Sequence, residues 1–205
     1  MEKITIDQFK GMINNAFEKV SARADEFSKL DAVAGDGDHG TAIVAAMGAI
    51  NEAAQKGEEF KAMLGDMGFG AMSQSCGSTS TLSGALYLGM SDCAAGTELD
   101  VKAVGNMFDA GLANVRKSTK ADVGNKTVMD ALIPAIEALK TYEGDNVVEQ
   151  FQQAAKAASE GAEKTIEMQA SFGRARNMGE RSIGHLDPGA ASMACIFEAF
   201  ASSLA

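Results

Sequence analysis

A chain of 205 residues with 46% hydrophobic content can bury one full core without covalent staples, so a single domain over residues 1–205 is expected. Its net charge of −10 sets the surface against nucleic acid and anionic lipid, and neither is expected as a partner. Cys76, Cys93 and Cys195 cannot all pair and form no CxxC motif, MEKITIDQF carries no signal-peptide pattern, and no apolar run approaches the roughly 18 residues that span a bilayer; a cytoplasmic protein outside the membrane is expected.

In chain order, Phe9, Met12, Ile13, Phe17, Val20, Ala24 and Phe27 recur at helical spacing behind a Thr5…Gln8 capping box, which predicts one long first helix ending near Asp31. Further helices are predicted over 41–56, 59–75, 83–94, 98–117, 126–141, 145–171 and 188–204. Period-two Val/Ile/Thr runs are missing and only Pro134 and Pro188 interrupt the chain, so the expected class is all-α, with about eight helices around one core. Met63, Met67, Met72, Met90, Met107, Met129 and Met193 fall mostly on apolar helical faces and read as core filler.

Glycine gathers just before helices, at Gly35–Gly40, Gly77–Gly84, Gly124 and Gly184–Gly189. Such junctions offer free backbone N–H groups and the positive end of a helix dipole, the elements of an anion site. Helix punctuation alone would also place glycines there.

The segment Asp31-Ala-Val-Ala-Gly-Asp36-Gly-Asp38-His39-Gly40 draws three carboxylates into one glycine-softened turn. Like charges held close disfavour ionisation, and a hard divalent cation relieves them. An EF-hand register from Asp36 fails because its fifth position is Gly40, so magnesium suits the turn better than calcium. A merely solvated acidic turn is the plainer alternative.

Cys76-Gly-Ser-Thr-Ser-Thr-Leu-Ser-Gly-Ala-Leu-Tyr87 clusters hydroxyls and glycines that either hold a phosphate or cap their own helix. Gly124-Asn-Lys126-Thr127 lacks the GxxxxGK[ST] frame and a preceding strand, which excludes a Walker A loop; Lys126 either faces an anion or is solvated. Toward the C-terminus, Arg174, Arg176, Arg181 and His185 precede Asp187 and Pro188, a good N-cap and first helical residue. These cations either neutralise phosphates or form a surface cluster with Glu180.

Taken in order, LDAVAGDGDHGT, SGALY, GNKTVMDALIPA and GRARNMGERSIGHLDPGA resemble the ADP-binding L subunit of dihydroxyacetone kinase and the nucleotide domain of one-chain ATP-dependent dihydroxyacetone kinases. The resemblance implies a barrel of eight amphipathic antiparallel helices with ADP or ATP at one end. It implies two Mg²⁺ ions on Asp31, Asp36 and Asp38, with nucleotide contacts at His39, Gly40, Thr41 and Ala42. Further contacts fall on Leu82, Ser83, Gly84, Val128, Asp187, Pro188 and Gly189, and Arg174 carries over as the catalytic arginine. The implied partners are a K subunit that holds dihydroxyacetone or a related ketose and, in the phosphotransferase-linked branch, an M subunit that rephosphorylates bound ADP. A homodimer, or a heterotetramer with K, is the implied assembly. Ser80-Thr-Leu-Ser-Gly-Ala85 departs from the family's Gly-Gly-Ala-Ser-Gly-Pro loop, and Asn125 replaces its usual acidic residue. Two other readings stay open: a non-catalytic nucleotide-sensing module, and a phosphocarrier using His39 or His185.

Overall fold

The computed structural model describes residues 1–74 and 76–205. Helix α1 (Ile6–Ala22) starts on the predicted capping box: Gln8 N–H donates to Thr5 Oγ1 at 3.3 Å, and Thr5 N–H donates to Gln8 Oε1 at 2.9 Å. The predicted single first helix breaks at Arg23, whose φ of −106° and ψ of 11° end α1 and begin α2 (Ala24–Asp31). The start of α3 (His39–Lys56) lies so near α2 that a Cβ on Gly40 would sit 1.9 Å from the Ala24 carbonyl oxygen.

Helix α4 (Phe60–Met72) follows, and the predicted end of that helix at Ser75 lies outside the described residues. Helix α5 (Gly77–Ser91) begins six residues earlier than the spacing predicts, because Ser80 Oγ accepts from Cys76 N–H at 2.6 Å and Thr81 Oγ1 donates to the Gly77 carbonyl at 3.0 Å. The serine- and threonine-rich stretch thus extends the helix toward its N-terminus.

A short antiparallel pair corrects the all-helical expectation locally. Strand β1 (Lys3–Thr5) pairs with β2 (Glu98–Asp100), Ile4 facing Leu99, and both side chains are buried. Asp100 then caps α6 (Val101–Ser118), its Oδ1 accepting from Ala103 N–H at 2.8 Å. Helix α7 (Met129–Thr141) starts three residues later than predicted. Helix α8 (Val147–Lys164) ends well short of residue 171, in a 3₁₀ turn at Thr165–Glu167. An irregular stretch with a second 3₁₀ segment (Arg174–Ser182) leads to α9 (Pro188–Leu204).

Packing runs in a closed order. Helix α1 packs on α3, α3 on α4, α4 on α5, and so on through α8 to α9, which returns to α1. Phe108, Phe151, Phe197 and Phe200 of α6, α8 and α9 meet with ring centroids 5.8–6.2 Å apart, and such pairs add about 0.5–1.5 kcal/mol each beyond area burial. The methionines fill the core as predicted, except Met72, which is exposed. No helix among the described residues is long and apolar enough to cross a membrane.

Candidate functional site

Asp31 is the last residue of α2, and its own groups fold the acidic loop. Its carbonyl accepts from Gly35 N–H at 2.6 Å, while Oδ2 accepts from Gly37 N–H at 2.9 Å and Asp38 N–H at 3.1 Å. Glycine is required at 35, where a Cβ would lie 2.4 Å from Asp31 Oδ1, and at 37, where φ is +75°. The loop therefore brings one carboxylate oxygen from each of Asp31, Asp36 and Asp38 within 4.8 Å of one another. The Arg174 guanidinium pairs with Asp36 and holds its carboxyl below the usual range. Burial, then the Asp36 charge, pushes Asp38 up. Oxygen-only donors under mutual repulsion fit a hard divalent cation such as Mg²⁺.

Beside the triad opens a cleft of about 600 Å³, a volume in the range of small-molecule sites. One wall is polar and glycine-rich, made by Gly77, Ser78 and Thr79 at the start of α5 and by Asp187, Pro188 and Gly189 at the start of α9. His39 at the start of α3 and Val128 before α7 join them, so four helix N-termini converge on the same space. The starts of α3 and α5 carry no side-chain cap, so their N–H groups and dipoles favour an anion here, whereas Asp187 caps the start of α9. Leu82, Leu86, Leu132 and Met193 add an apolar lining.

His39 joins three of these elements. Ser192 Oγ spends its proton on the Gly189 carbonyl (3.1 Å), so His39 Nε2 donates to Ser192 Oγ at 2.9 Å. Nδ1 is then the acceptor, 3.5 Å from Thr79 Oγ1. Burial keeps the ring neutral, lowering its pKa against the pull of the neighbouring carboxylates. Both ring nitrogens are engaged, which disfavours this histidine as a phosphocarrier. Asp187 caps α9 by accepting from Ala190 N–H at 2.8 Å, and burial pushes its carboxyl up to about 7.

Lys126 is not solvated, which corrects one of the two sequence expectations; it borders the cleft, with its ammonium committed to the protein. It is buried, and its ammonium donates to the carbonyls of Thr165 and His185. The proposed surface cluster around Glu180 also fails: no salt bridge involves Glu180 among the described residues, and Arg174 turns to Asp36 instead.

Of the residues singled out in the sequence, Asp31, Asp38, His39, Leu82, Ser83, Lys126, Val128, Arg174, Asp187, Pro188 and Gly189 line the cleft, and Asp36 joins through the carboxylate cluster and Arg174. Gly40, Thr41, Ala42 and Gly84 do not line it. Gly84 instead seats α5 against α4, where a Cβ would meet Met72 Cγ at 2.4 Å and the Gly68 carbonyl oxygen at 2.8 Å. Sequence reasoning missed Thr79, Ser192 and Asp130. Ser192 stands one helical turn beyond Pro188, a spacing that puts it on the cleft face of α9.

Residues 33–202 match the model of the DAK2 domain. The ADP-binding subunit DhaL of PEP-dependent dihydroxyacetone kinase 1 from Listeria innocua is 33% identical over 91% of this chain and 91% of its own length. L-erythrulose kinase from Pectobacterium atrosepticum is 34% identical over 94% of this chain, which corresponds to 34% of that longer protein. The dihydroxyacetone kinase of C. freundii, solved with AMP-PNP and Mg²⁺, superposes with a TM-score of 0.71 at 26% identity, covering 95% of this chain and 33% of the kinase. Fold, acidic loop and the extent of the match agree, and the chain belongs to the DAK2 domain family.

Proposed function

We propose that this chain carries a magnesium–nucleotide complex and transfers its terminal phosphoryl group to dihydroxyacetone, or a related ketose, presented by a separate K subunit. The observation that carries this reading is the placement of the Asp31–Asp36–Asp38 cluster and Arg174 at the mouth of a cleft walled by helix N-termini. The family's nucleotide-subunit names and the AMP-PNP complex of the C. freundii kinase support it. The closed order of helix contacts supports a barrel of antiparallel helices with the site at one end.

Phosphoryl transfer asks a protein for positioning and charge stabilisation more than for covalent chemistry. Mg²⁺, when bound, would be held by Asp31, Asp36 and Asp38 and would neutralise phosphate oxygens. The amides at the start of α5 bind the phosphates, and the apolar lining of Leu82, Leu86, Leu132 and Met193 takes the base and excludes water. Arg174, exposed at the mouth, is placed to meet charge on the transferring group once a cation claims Asp36. His39 stays neutral and holds the Thr79 hydroxyl and the α9 start in register.

The match to DhaL subunits over nearly their full length supports a ketose site outside this domain. With an M-type partner, bound ADP is recharged in place; without one, ATP exchanges. The test combines this chain with a dihydroxyacetone-binding K subunit, ATP and Mg²⁺ and follows triose phosphate. Product formation that Asp38→Asn abolishes is expected. Tight nucleotide binding with no transfer, to dihydroxyacetone or to erythrulose, would favour the sensing module instead.

A further inference from the structure

Lys126 is the non-glycine residue with positive φ among the described residues, at +59°, a conformation that L side chains rarely adopt. Its surroundings impose it. Buried Asp130 accepts from Gly124 N–H at 2.6 Å through Oδ1 and from Thr127 N–H at 2.7 Å through Oδ2. Asn125 Oδ1 accepts from Asp122 N–H at 2.8 Å, closing the same turn from its other side. The turn so built sends the Lys126 side chain inward, away from solvent and toward backbone carbonyls.

Those carbonyls belong to the two feet of one excursion of the chain. Between Thr165 and Asp187 the backbone leaves the helical body, carries Arg174 out to Asp36, and returns. Lys126 donates to Thr165 at the departing foot and to His185 at the returning foot. Asp187 N–H adds a bond to Thr165 Oγ1 at 3.0 Å, and Gly184 N–H one to the Ile166 carbonyl at 2.7 Å. The rising limb touches the same turn, Ser171 N–H lying 3.4 Å from the Asn125 carbonyl. Away from these ties the excursion is largely exposed, with Phe172 packed against the core and a local bond at Ser182 Oγ, which accepts from Ala170 N–H at 2.9 Å.

A buried ammonium without a carboxylate salt bridge is an expensive way to close a loop. A surface loop would close as well with neutral groups. What the ammonium adds is a fixed distance between the feet, and hence a fixed reach for the arginine at the far end. We propose that Lys126 is a positioning residue that clamps both feet of the 165–187 strap and thereby sets Arg174 over the acidic cluster, acting on the nucleotide through Arg174 rather than by touching it. The affinity arm of its test rests on the nucleotide reading above; the proteolysis arm does not.

The full-length chain is compared as wild type, Lys126→Met and Thr165→Val. Limited trypsin digestion is read by mass spectrometry after Arg174, Arg176 and Arg181 in the strap and after Lys61 and Lys102 in the helical body. Loosened feet raise strap cleavage by about tenfold in Lys126→Met and less in Thr165→Val, while body cleavage stays at the wild-type rate. Strap cleavage at the wild-type rate in Lys126→Met overturns the clamp, and if Lys126→Met does not fold, Lys126→Gln, which is too short to hold both carbonyls, decides in its place. In calorimetry with ADP and Mg²⁺, Lys126→Met weakens binding in the wild-type background and has little further effect in an Arg174→Ala background. Additive losses overturn the route through Arg174. Absence of binding by the wild type would count against the nucleotide reading, leaving proteolysis to judge the clamp.

Discussion

Arg174 and Asp36 form an ion pair across the mouth of the cleft, joining a strap that precedes α9 to the acidic loop that precedes α3. Both side chains are more than half exposed, so the pair contributes little to stability and its importance is positional. A cation at the triad competes with the guanidinium for Asp36. Arg174→Ala is therefore expected to bind Mg²⁺ alone more tightly, having lost a neighbouring positive charge, and to bind Mg–ADP about tenfold or more weakly. Calorimetric titrations with and without nucleotide read the two opposite signs; a variant that weakens both equally contradicts the competition.

Gly84 and Ser83 are neighbours with different work. Gly84→Ala drives a Cβ to within 2.4 Å of Met72 and 2.8 Å of the Gly68 carbonyl oxygen. It is expected to destabilise the protein by about 1–3 kcal/mol, and the folded fraction is expected to keep its nucleotide affinity. Ser83 lines the cleft, so Ser83→Leu is expected to do the reverse. Thermal melts paired with calorimetry separate the two.

Asp187 gives the fold a pH signature. Its folded pKa of about 7 stands above its ordinary 3.8. Between those values the native state holds a proton that the unfolded chain has released, so this residue's stabilising contribution is complete at low pH and is lost as pH climbs to about 7. Asp187→Asn keeps an acceptor for Ala190 N–H and removes the titration. Relative to wild type, it is expected to gain of order 2 kcal/mol between pH 5 and pH 8, read by urea unfolding at each pH. A difference that does not change with pH refutes the assignment.

Ser192→Ala strips the acceptor from His39 Nε2–H in a buried setting. The orphaned donor is expected to cost about 1–3 kcal/mol, and loss of ring orientation to weaken nucleotide binding as well. Ser192→Thr restores the oxygen and is expected to recover part of both.

How far these features could be read from the chain follows from their range. The acidic triad was legible because Asp31, Asp36 and Asp38 fold through their own backbone, within eight residues. The Asp187–Pro188 start of α9 was legible for the same reason. Ser192 with His39 lies 153 residues apart in sequence, and no local pattern announces it. The β1–β2 pair is equally silent, since three-residue strands show no period and their partners are far apart. Lys126 misled because a lysine at a helix start is ordinarily solvated; Asp130, four residues on, turns it inward. The break at Arg23 carries neither proline nor glycine to announce it, and α3 packs close against α2 just beyond it.

The central claim is that the cleft holds a nucleotide diphosphate through a cation on the aspartate triad. Isothermal titration of the wild-type chain with ADP, in the presence of Mg²⁺ and again in EDTA, tests it most directly, with Asp36→Asn and Asp38→Asn alongside. The account predicts binding that needs Mg²⁺ and that each substitution weakens by about a hundredfold. ADP binding of equal strength with and without Mg²⁺, or left intact by both substitutions, would contradict it.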